Sequence, residues 1–82
     1  MKYQITVGII SDSVIHRRIT VDVESWTSIE DIKKVIQERE GIPTDQQRMV
    51  HRGRPLQDNY TLSDYSIGEG VSICLVRTNK EI

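Results

Sequence analysis

"SIEDIKKVIQEREG", residues 28–41, is the stretch on which the fold of this chain turns. Ile29, Ile32, Val35 and Ile36 recur at three- and four-residue intervals, so a helix collects them on one stripe. Glu30, Lys33, Lys34, Gln37 and Glu38 are then turned mostly outward. Ser28 can cap the start, with Asp31 three residues on, and Gly41 offers a left-handed stop followed by Pro43.

Upstream of this helix the period changes to two. Tyr3, Ile5 and Val7, and again Ile19, Val21 and Val23, alternate as half-buried strands do. Between them Ser11-Asp12-Ser13 is a turn cluster flanked by Ile9, Ile10, Val14 and Ile15, which predicts a hairpin with a long, partly apolar tip of open register. Downstream, short apolar groups at Met49–Val50, Leu56, Leu62, Ile67 and Val71 to Val76 are punctuated by "RGRP", "DNY" and "GEG". This pattern predicts two strands and connecting turns. A helix set between strands gives an α+β layer fold with one face of a mixed sheet covered and the other open to solvent. The core expected from the periods is Ile5, Val7, Ile19, Val21, Val23, Ile29, Ile32, Ile36, Met49, Leu56, Leu62, Ile67, Ile73 and Leu75.

Composition narrows the functions available. The 82 residues, 37% apolar and 28% charged, suit one small soluble domain with little surplus core to enclose an active site. A formal net charge of −1 gives no drive toward nucleic acid. No apolar run reaches bilayer length and no signal-peptide series is present, so a cytoplasmic or nuclear location and no membrane partner are expected. Cys74 is the single cysteine and there are 2 histidines, which rules out an internal disulfide and four-ligand zinc spacing. Asp12, Asp22, Glu24 and Asp58 show no paired spacing that suggests a metal; they read as solvated charge, and no cofactor is expected.

Residues 40–67, "EGIPTDQQRMVHRGRPLQDNYTLSDYSI", carry a specific resemblance. "EGIP", "DQQR", a glycine-containing turn, a leucine and "TLSDY" closely resemble the middle of ubiquitin, and the likeness extends back through the helix and the first strands. The resemblance implies the ubiquitin-like β-grasp: a mixed sheet of four to five strands with one main helix on one face. The domain would cover residues 1–78, with 79–82 as a tail or the start of a linker. Tyr65 resembles the family tyrosine whose hydroxyl is tied to the backbone of a nearby loop, here near Gln57.

Departures from the family pattern point to a member that is not conjugated. The chain ends "RTNKEI" rather than in a Gly-Gly tail, Gly70 is the last glycine, and Arg54 stands where the best-known acceptor lysine would be. The first loop is longer than the family's. What remains is the recognition face. Val50 and Val76 resemble the patch isoleucine and valine, and strand alternation turns them away from Met49 and Leu75. Val14, with Ile10 as second choice and Ile15 also open, would complete the patch. Arg48, Arg52, Arg54 and Arg77 would form its basic rim, Gly53 would admit a partner backbone, and Cys74 would face the same way.

Such a surface implies a monomeric, non-enzymatic module that binds ubiquitin-binding domains or proteasomal receptors with dissociation constants on the order of 10 μM to 1 mM. Catalysis by Cys74 would need a base beside it. His51 belongs to the opposite face of its strand and His16 to the start of the second. A scaffold held in a fixed complex and a covalent modifier are the alternative readings.

Overall fold

In the computed structural model, which describes residues 2–78, the two upstream strands are longer than their alternation implied. β1 spans Tyr3–Ser11 and β2 spans Val14–Val23, paired antiparallel from Tyr3↔Val23 to Ser11↔Val14. The expected long tip is therefore a two-residue turn. Asp12 and Ser13 take φ of 53° and 64° there, the left-handed values that let a tight turn follow the strand twist. A register shift between Ile9 and Ile10 pairs Ile9 with Arg17 and Ile10 with Ile15, so His16 is the extra, bulged residue.

α1 spans Ile29–Glu40. The Ser28 hydroxyl accepts the Asp31 N–H at 3.1 Å, and Gly41 ends the helix at φ 73° with its N–H on the Gln37 carbonyl. Both caps lie where the sequence placed them. After a 3₁₀ turn at Thr44–Gln46 come β3 (Gln47–His51), β4 (Arg54–Pro55), a second 3₁₀ turn at Ser63–Tyr65, and β5 (Ser72–Arg77). Three strands, rather than two, thus follow the helix; β4 is too short and too polar to register in a periodicity. The sheet order is β2-β1-β5-β3-β4, with β1 and β5 parallel and every other pair antiparallel. This is the β-grasp arrangement. The segment 79–82, expected to be a tail or linker, lies outside the described residues.

Every residue of the expected core is buried, and Ile9 and Ile42 join it. Two helix positions depart from expectation. Val35 is 37% exposed, whereas Lys33 is 8% exposed. The lysine runs its aliphatic stem along the edge of the core and places Nζ 2.6 Å from Asp58 Oδ1. Asp58, expected to be free surface charge, is that ammonium's counter-ion.

Polar groups tie the loops down. The Gln47 side chain is buried and its Nε2 donates to the carbonyls of Lys33 and Ile42, each at 2.9 Å. The Tyr65 hydroxyl accepts the Gln57 N–H at 2.8 Å, the loop anchor the resemblance implied. Tyr3 donates its hydroxyl to the Ile67 carbonyl at 2.8 Å.

Candidate protein-binding face

With α1 covering one side of the sheet, the other side is built by the alternate residues of β1, β5 and β3. Register decides which side chains meet there. Parallel pairing sets Gly8 beside Cys74 and Ile10 beside Val76; antiparallel pairing sets Val50 beside Cys74 and Arg48 beside Val76. Two cross-strand rows result, Gly8–Cys74–Val50 and Ile10–Val76–Arg48. Neighbours in such rows stand about 5 Å apart, close enough to form one surface.

Ile10, Val50 and Val76 are half-buried and Cys74 is exposed. Their partners on the same strands, Ile9, Met49, Leu75 and Ile73, are buried in the core. The alternation expected of Val50 and Val76 is therefore present. Gly8 has a further role: a Cβ there would lie 3.9 Å from Ile15 Cγ2, so Ile15 of β2 leans over the glycine and extends the apolar surface.

The register separates the two residues between which the sequence left a choice. Val14 pairs with Ser11, one step beyond the Ile10–Ile15 pair, so alternation sends it to the other side of the hairpin, where it stands 56% exposed at the tip. Ile10 is the residue beside Val76. A sequence reading could have reached this by treating Asp12-Ser13 as a two-residue turn, which fixes the Ser11–Val14 and Ile10–Ile15 pairs.

The basic rim is also smaller than expected on this side. Arg48 lies in the Val76 row, and Arg18 of β2, opposite Gly8, joins it. Arg54 pairs with His51 and Arg77 with Gln47, which places both in rows that alternate away from Val50 and Val76. Arg52 and Gly53 form the β3–β4 turn at φ 54° and 78°, and Arg52 and Arg54 line a shallow depression with His51, Leu56 and Tyr65. Gly53 thus earns its place by backbone conformation, and a Cβ there would meet nothing within 4 Å.

Cys74 has no base on its own face from either histidine. His51 shares the Met49 side of β3, and His16 sits in the β1–β2 bulge with Nε2 3.1 Å from the Ser11 carbonyl. Among the described residues no group of three or more His, Cys, Asp or Glu could hold a metal ion. None of the described helices is long and apolar enough to cross a membrane.

A mixed five-stranded sheet grasping one helix, with an apolar strip on its bare side, defines a ubiquitin-like domain. The ubiquitin family model matches residues 6–80, and the chain belongs to that family. It is 42% identical to a ubiquilin of Dictyostelium discoideum over 60 residues, 73% of this chain and 12% of that protein. It is 38% identical to ubiquitin-like protein 4A-B of Oncorhynchus mykiss over 60 residues, 73% of this chain and 40% of that one. Against the NEDD8-like protein RUB1 of Saccharomyces cerevisiae the identity is 34% over 62 residues, 76% of this chain and 80% of the relative. The chain thus spans well under half the length of the first two relatives.

Proposed function

We propose that this domain is a noncovalent adaptor that docks helical ubiquitin-binding domains or proteasomal receptors through the bare face of its sheet. The observation that carries this reading is the adjacency of Ile10, Val76, Cys74 and Val50 across three consecutive strands, flanked by Arg48 and Arg18. An apolar centre with a cationic border suits an amphipathic helix bearing carboxylates: apolar contact supplies affinity and charge guides encounter. The strip is small and half-buried, so it fits weak, reversible binding better than the large dry interface of a permanent complex. A monomer working in the cytoplasm or nucleus, without cofactor and without catalysis, accords with this role.

Titration of isotopically labelled protein with a panel of ubiquitin-binding domains tests the reading. Shifts centred on Ile10, Val50, Cys74 and Val76 that disappear in Val50→Ala are expected. Silence across the panel, or shifts centred elsewhere, would overturn it.

A second reading, covalent modification of other proteins, draws on the 80% coverage of a NEDD8-like relative. Incubating the natural full-length protein with ubiquitin-type activating enzymes and ATP separates the two, because only a modifier forms a thioester-linked adduct.

A further inference from the structure

Trp26 is the only tryptophan of the chain and is 64% exposed, more than any other large hydrophobic residue of the described part. Its position is not a slack loop. Thr27 Oγ1 accepts the Glu24 N–H at 2.9 Å, and the Thr27 N–H returns to the Glu24 carbonyl at 2.9 Å, closing a tight turn around Ser25 and Trp26. The turn is bolted to the segment before β5: Ser63 N–H donates to the Ser25 carbonyl at 2.9 Å and Leu62 N–H to the Thr27 carbonyl at 3.1 Å. An isolated bridge joins Ser28 to Thr61. The indole is therefore presented on a fixed backbone, which removes much of the ordering cost of using it as an anchor.

The charged residues closest to it along the chain and across the Ser63–Ser25 hydrogen bond are acidic. Glu24 starts the turn, Glu30 and Asp31 occupy the first turn of α1, and Asp64 follows Ser63. Lys34, on the same helix, is held by Glu30 at 3.2 Å. None of these residues belongs to the Ile10–Val76–Val50 strip.

We propose that the Trp26 turn is a second docking surface, whose partner is a basic segment of another protein. An arginine or lysine of that segment stacks on the indole face while neighbouring cations meet Glu24 and Asp31. The attraction of a cation for an aromatic face and its attraction for carboxylates act together here, and both favour arginine, whose flat guanidinium suits stacking and paired hydrogen bonds. An acidic or purely apolar partner gains only one of these contacts or neither.

The single tryptophan is its own reporter. An oligo-arginine peptide titrated into the protein should change Trp26 emission saturably, and raising the salt from about 50 to 300 mM should weaken binding several-fold. An oligo-glutamate peptide should leave emission unchanged. The double variant Glu24→Gln/Asp31→Asn should bind the arginine peptide at least about threefold more weakly, and Val50→Ala should bind it as the parent does. Trp26→Ala, followed through backbone amide shifts, should lose a further two- to fivefold or so. The inference fails if emission does not respond below about 1 mM peptide, the weakest binding worth assigning to such a surface. It also fails if the response survives neutralisation of the carboxylates undiminished.

Discussion

The Lys33 ammonium lies 2.6 Å from a carboxylate oxygen of Asp58, and the two ends of that pair live in different media: the lysine side chain is 10% exposed and the aspartate side chain 54%. The contact joins the second turn of α1 to the loop that follows β4. Because Asp58 is half in water, its attraction is screened and the pair is worth far less than an enclosed one. The lysine has fewer alternatives. Its amine cannot leave without also withdrawing the methylene stem that covers the core.

That asymmetry predicts the order of three variants in denaturant melts. Lys33→Met keeps the stem and removes the charge, and should cost less than about 1 kcal/mol. Asp58→Asn leaves a nearly buried ammonium without its counter-ion and should cost about 1–2 kcal/mol. Lys33→Ala removes both stem and charge and should cost the most. A Lys33→Met variant less stable than Asp58→Asn would show that the ammonium stabilises the fold even without its counter-ion, and would overturn that order.

Binding should read the hairpin register directly. Ile10→Ala is expected to weaken a ubiquitin-binding domain by about five- to tenfold, as loss of a central apolar contact does, and Val14→Ala by less than about twofold. Calorimetric titration of one domain against both variants distinguishes them, and equal effects would contradict the placement of Val14 away from Val76.

At the tip of the same hairpin, Ser13 holds φ 64° with a side chain attached, a conformation glycine adopts without steric cost. Ser13→Gly creates an Asp-Gly turn and should raise stability by about 0.5–1 kcal/mol, read as a thermal midpoint some 3–6 °C higher.

Burial raises the Tyr3 phenol above its ordinary value near 10.0 by desolvating the ionised form. The sign follows: the folded state holds the proton more tightly than the unfolded chain, so the contribution is complete below the unfolded value and is lost as pH rises through the folded one. Stability should fall on going from pH 9 to pH 11, and Tyr3→Phe should flatten the part of that decline that Tyr3 owns, after losing about 1 kcal/mol from the Ile67 hydrogen bond. Urea midpoints for both proteins across that range give the comparison.

Much of this was legible in the residues themselves. The helix, its Ser28 and Gly41 caps and the buried aliphatics follow from local periodicity, which one segment contains whole. Lys33 and Val35 depart from the periodic pattern because a helical stripe says which side faces the sheet but not where the sheet stops; Asp58, which receives the lysine, is 25 positions away. The composition of the bare face is divided in the same manner. Val50, Val76 and Cys74 could be read from alternation alone, but Ile10 against Val14, and Arg18 against Arg54 and Arg77, depend on pairing registers set by a turn and a bulge.

The strand that lies between β1 and β3 is the last of the described strands to be made. A ribosome must deliver the chain through Arg77 before the first hairpin acquires its inner neighbour and before β3 has anything to pair with but the two residues of β4. Nascent chains halted short of Ser72 carry a helix and a hairpin with unsheltered apolar sides, the kind of species chaperones hold. Synthesis and folding of this domain are consequently sequential, and a chain cut before Ser72 would forfeit the strand that joins the two halves of the sheet rather than its margin.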